Sequence, residues 1–165
     1  MGFTYAQIPQ TISGTYSYTS IEDISNEGGV VLQGIQKMQV VFEDDNKLKE
    51  SGIFAISLSG GDVSNYISIR IEYKVELNGT FEIIGDTLVA NYDTNSLKIE
   101  FSKCDATSPE FCSQMMTTGA EAAMAMREAI CSQAIQKNVI TSFSEKKFVV
   151  KNEEGKKTTY KKEKK

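Results

Sequence analysis

Apolar and polar residues alternate along most of this chain, most cleanly from Tyr66 to Leu77. There Ile67, Ile69, Ile71, Tyr73, Val75 and Leu77 take turns with Ser68, Arg70, Glu72, Lys74 and Glu76. This is the two-residue period of a strand with one wet face and one face in a core. The same period marks Ile12 to Thr19, Gly34 to Glu43 (Met38, Val40 and Phe42 against Lys37 and Gln39) and Leu48 to Leu58 (Phe54, Ile56 and Leu58 on one side). It returns at Phe81 with Ile83, from Leu88 to Tyr92, and from Leu97 to Phe101. Between these segments fall Asp44-Asp45-Asn46, the stretch SGGDVSN, Asn78-Gly79, Gly85-Asp86 and Asp93-Thr94-Asn95. Asn, Asp and Gly accept the backbone angles of a tight reversal, so each is read as a turn, and Glu22 to Gly29 as a polar loop. Seven strands are thus predicted before the first helix.

The period changes after Ser108, which stands where an N-cap belongs, with Pro109 at the first helical position and Glu110 behind it. A helix is predicted from about 109 to 138. At 100° per residue Phe111, Cys112, Met115, Gly119, Ala122, Met126, Ala129 and Ile130 form one stripe, with Glu121, Glu128 and Ser132 turned away. The stripe reads as a packing face, with a methionine lid over a ligand as its functional counterpart. Weak helix formers predict a break near Thr117 to Gly119. Strands resume at Val139 to Ser144, Lys147 to Lys151 and Lys156 to Lys162, with a turn from Asn152 to Gly155.

The expected class is mainly β with one long helix: an antiparallel up-and-down meander of eight to ten strands, with the helix inserted before the last strands. Consecutive strands with short connections would expose edges unless the sheet closes, so a β-barrel is expected. A β-sandwich competes, but its crossings need longer connections. One domain is expected over 1–165, with an N-terminal arm at 1–10 and a basic tail at 163–165.

Composition narrows the chemistry. The chain has no histidine, which removes the usual general base and every Ser-His or Cys-His arrangement. There is no Gly-x-Ser-x-Gly motif, and Gly60-Gly61 lacks the Lys-Ser/Thr that would complete a phosphate loop. No enzyme, no cofactor and no metal site is expected. Of three cysteines, Cys112 and Cys131 fall on the expected helix about 28 Å apart and cannot bridge. Cys104 and Cys112 could close a disulfide across DATSPEF, the alternative being three reduced thiols.

Charge is segregated. Residues 1–140 carry nine Lys or Arg against eighteen Asp or Glu, whereas residues 141–165 carry nine Lys against four Glu. The basic end reads either as an anion-binding patch or as lysines that keep an exposed strand edge from aggregating, and the second is preferred. Nucleic acid is not expected, because the tail lacks interleaved Arg and aromatic residues. No run of eighteen apolar residues predicts a membrane-spanning helix, and MGFTYAQIPQ lacks the basic and apolar regions of a signal peptide. A cytosolic protein and a chain that begins after processing both fit.

Three pieces resemble a known family. ISGTYSY resembles the Gly-x-aromatic opening of lipocalins, with Tyr16 where that family usually has Trp. NGTFEIIGDTLVANY and KKFVVKNEEGKKTTYKK are similar to the central and closing hairpins of bacterial lipocalin-like domain proteins. The resemblance covers about two-thirds of the chain. The chain departs from the family pattern in having no Trp and in placing its helix ahead of the closing strands. The resemblance implies a calyx that binds a small apolar ligand. It also implies a periplasmic or cell-envelope setting, with a peripheral or lipid-anchored membrane association. The inward candidates for ligand contact are Met38, Phe54, Ile56, Ile69, Ile71, Tyr73, Tyr92, Ile99 and Phe101. The other expectation is a filled barrel that serves as a structural or interaction module.

Overall fold

In the computed structural model, which describes residues 7–164 apart from the side chains at 27, 115–120 and 122, the alternating segments pair in chain order. The elements β1 (Gly14–Glu27), β2 (Val30–Phe42), β3 (Lys47–Gly60), β4 (Ile67–Ile84) and β5 (Thr87–Ala106) form a meander. Then come α1 (Pro109–Ser132), β6 (Ile135–Phe143), β7 (Lys147–Lys151) and β8 (Lys157–Lys162). All neighbours are antiparallel, and β8 returns to β1 through Tyr16 opposite Lys162 and Ser17 opposite Lys161. Eight strands close into an up-and-down barrel with one long helix before the last strands, the expected class.

Five strands, not seven, precede α1. Asn78-Gly79 does not reverse the chain: β4 runs through it, and Gly79 lies opposite Tyr92 on β5. Glycine is needed there for proximity, because a Cβ would fall 2.4 Å from the Asn91 carbonyl oxygen. Asp93-Thr94-Asn95 likewise stays inside β5. Its turn chemistry is spent on a bulge in which the Asn95 amide donates to Asp93 Oδ1 (3.0 Å) and the Asn78 amide to Ser96 Oγ (2.9 Å). The reversal between these strands is at Gly85-Asp86, where Gly85 has φ 63°.

Two other boundaries move. β1 continues to Glu27, so most of the expected polar loop pairs with β2 and only Gly28-Gly29 turns. The helix ends at Ser132 rather than 138 and is unbroken at 117–119. Residues 135–138 leave it to pair with Asn91 through Leu88, because the start of β5 has backbone groups that only a strand can satisfy. Of the expected helical stripe, Phe111, Cys112, Met126 and Ile130 are half-buried and Ala129 is exposed, while Met115, Gly119 and Ala122 lie outside the described side chains.

The barrel has two unlike halves. At one end short β6–β8 complete the ring around a packed core of Ile12, Tyr16, Phe42, Phe81 and Phe148. The Phe42 and Phe81 rings meet edge to face at 4.9 Å, and Phe148 stacks on Tyr160 at 4.6 Å. Each such pair adds about 0.5–1.5 kcal/mol beyond its buried area. At the other end β6 has stopped pairing with β5 at Asn91, and α1 takes the place of the missing strands. Its Phe111, Ala123 and Met126 pack on Ile69, Ile71 and Tyr73, which face inward from β4.

Candidate functional site

Glu50 occupies the junction between the two halves. On β3 it shares its face with Leu48, Phe54 and Ile56, and in register it lies between Val40 on β2 and Leu77 on β4. It is 8% exposed and is the one buried charged residue among the described residues. Tyr18 of β1 donates its hydroxyl proton to Oε1, and Tyr92 of β5 donates to Oε2 at 2.6 Å. The Tyr160 ring of β8 stands 5.0 Å from that of Tyr18. One carboxylate thus ties three non-adjacent strands together across the interior.

The electrostatics follow from that position. Burial pushes the Glu50 carboxyl above its ordinary range, opposed by the two phenolic hydrogen bonds, which favour the charged form. Burial raises Tyr18, Tyr92 and Tyr160 in turn, and the neighbouring Glu50 charge raises them further, so all three remain proton donors. Both Glu50 oxygens are occupied, and the cluster is a polar floor beneath the helix half.

Above that floor the interior is apolar. Met38, Ile69, Ile71 and Tyr73 are buried, Phe54, Ile56 and Ile99 half-buried, and Phe54, Ile99 and Met126 bridge the two adjoining apolar clusters. Tyr92 belongs to the floor through its bond to Glu50. Phe101 sets its ring edge-on to Tyr73 at 6.2 Å but is 44% exposed, so it stands outside the enclosed interior. Tyr73 is 1% exposed, and its hydroxyl has no hydrogen-bond partner among the described residues. A buried phenol in that condition forfeits about 1–3 kcal/mol.

Cys104, on β5 opposite Ile71, is joined by a disulfide to Cys112 in the first turns of α1, with Cα atoms 5.8 Å apart. The bond tacks the helix to the inner face. Further along, Arg127 Nη2 donates to the Leu97 carbonyl at 3.1 Å, and Cys131 is a free, half-buried thiol beside Met38 and Leu97.

Glu50, Tyr18 and Tyr160 are absent from the sequence-derived lining set. The signal for Glu50 was available: it has the parity of Leu48, Phe54 and Ile56, so strict alternation points a carboxylate inward. Its donors lie 32 and 42 residues away, and only strand register brings them to it. Two surface depressions of about 400 and 430 Å³ open at β1–β3 and at β4–β6; the first is walled mainly by Ser17, Thr19, Lys37, Gln39 and Ser51, with Tyr18 and Met38 among its lining residues. Among the described residues no group of His, Cys, Asp and Glu is arranged to hold a metal, and no helix is long and apolar enough to cross a membrane. No protein-family model and no curated protein matches the chain.

Proposed function

We propose that this barrel is a lipocalin-like carrier that binds a small, mostly apolar molecule with one polar group between α1 and the inner face of β3–β5. The observation that carries the reading is the Tyr73 hydroxyl, buried among Ile69, Ile71, Phe54 and Ile99 with nothing in the described chain to bond. A ligand oxygen would supply the missing partner while its apolar body replaced contacts with α1. The ISGTYSY opening and the two hairpin segments support the same reading. The Cys104–Cys112 bond supports a setting outside the reducing cytosol, in keeping with a cell-envelope protein. The reading involves no reaction.

Native mass spectrometry of the protein from its own host, with titration by a fluorescent fatty acid, tests it. The expected results are a ligand-bound mass and saturable fluorescence, with binding weakened about three- to tenfold in Tyr73→Phe. The empty variant should be no less stable than the parent, because it has lost only an unpaired hydroxyl. An apo mass alone, with no probe bound, refutes the carrier. That outcome favours a filled interaction module, for which the packed aromatic end is the supporting observation.

A further inference from the structure

Four lysines of the last hairpin fall on one face of the barrel. Lys147 lies directly opposite Lys161, and Lys151 directly opposite Lys157. Each pair sits at strand spacing, about 4.8 Å across, and the two pairs are about 13 Å apart along the strands. Like charges placed opposite each other destabilise a sheet, and among the described residues none of these four is in an ion pair, whereas Lys47, Lys49, Lys98 and Lys103 are. The intervening outward residues are Val149 and Thr159, and the flanking strands add Lys137 and Val139 from β6 and Thr15 and Ser17 from β1. One acidic residue, Glu163, follows Lys161 on this face, its amide donating to the Thr15 carbonyl at 2.8 Å, while Glu145, Glu153 and Glu154 lie in the turns at its ends. Edge protection does not account for Lys147 and Lys151, because β7 is paired on both sides, with β6 and β8.

We infer that this face docks the protein on an anionic lipid bilayer surface. Four exposed ammonium groups outside any described ion pair, against the single carboxylate of Glu163, match a sheet of phosphate and carboxylate headgroups, and each gains from the surface potential within a Debye length. The half-exposed Val149 adds an apolar contact at the centre. A nucleic acid fits less well, since the aromatic residues of this hairpin, Phe148 and Tyr160, are stacked inside the barrel and both arginines of the chain lie on other elements. The inference is independent of whether the interior holds a ligand.

The test is co-sedimentation of the full chain with vesicles of phosphatidylcholine alone or mixed with phosphatidylserine, at low and high salt. Two variants of equal net charge are compared: Lys147→Gln/Lys151→Gln/Lys157→Gln/Lys161→Gln, and Lys47→Gln/Lys49→Gln/Lys98→Gln/Lys103→Gln. Binding only to phosphatidylserine vesicles, lost at high salt and weakened about tenfold or more in the first variant but retained in the second, supports the inference. The first variant should melt no lower than the parent, which separates lost docking from lost folding. Equal binding to both vesicles, equal loss in both variants, or salt-sensitive binding to a single-stranded oligonucleotide without vesicle binding overturns it.

Discussion

Replacing Tyr92 by Phe removes one hydrogen bond from Glu50 and leaves the ring in place. The bond is 2.6 Å long, charge-assisted and part-buried, and its loss should cost about 1.5–3 kcal/mol while the carboxylate is ionised. The cost should depend on pH in a direction the burial dictates. Glu50 has a folded pKa above its unfolded value of 4.5, so its favourable contribution is fully present below that pH and is lost as pH rises through the folded pKa. Tyr92→Phe takes away one of the two donors that hold the folded pKa down. It therefore moves the folded pKa higher and deepens the loss. The variant should differ from the parent by about 1 kcal/mol near pH 4 and by the full amount near pH 8. Urea unfolding followed by far-ultraviolet circular dichroism reads this directly, since about 2 kcal/mol moves the midpoint by roughly 1 M at the usual slope. In a Glu50→Gln background the same substitution should cost only about 1 kcal/mol, because the acceptor is neutral. A cost that is the same at both pH values, or the same in both backgrounds, would refute a buried ionised Glu50 held by Tyr92.

Two further outcomes follow from the geometry. Cys104→Ser with Cys112→Ser opens a loop of sequence separation 8 and should cost about 2.5 kcal/mol in loop entropy. Thermal melting with and without a thiol reductant should show the parent losing that stability and the variant indifferent; equal midpoints in all four samples would mean the bond does not anchor α1. Gly79→Asn should melt lower than the parent by several degrees, about 2–4 °C per kcal/mol, because any Cβ meets the Asn91 carbonyl. Gly85→Asn should be nearly silent, since Gly85 has φ 63° and open space around it. The reverse ranking would restore Asn78-Gly79 as a turn.

Legibility in the sequence followed the range of the interaction. The alternation from Ile67 to Leu77, the turn at Gly85-Asp86 and the helix start at Ser108-Pro109 are local events and were readable as such. Asn78-Gly79 and Asp93-Thr94-Asn95 carried the same turn residues and folded otherwise, because each lay opposite the other and the long ladder between β4 and β5 outweighed either local preference. The helix boundary moved for a related reason: residues 135–138 answer to the unpaired backbone of β5, which no local pattern reveals.

The sequence by itself determined that this protein is a closed meander of strands with one helix, and which side of each strand is apolar, since side-chain alternation and turn chemistry are properties of a few consecutive residues. Tertiary structure alone decided that Glu50 meets Tyr18 and Tyr92, that α1 lies on the inner face beside Tyr73, and that four lysines stand in opposed pairs on the outside. Those arrangements depend on register between distant strands, and a shift of one residue would turn every one of them to the opposite face.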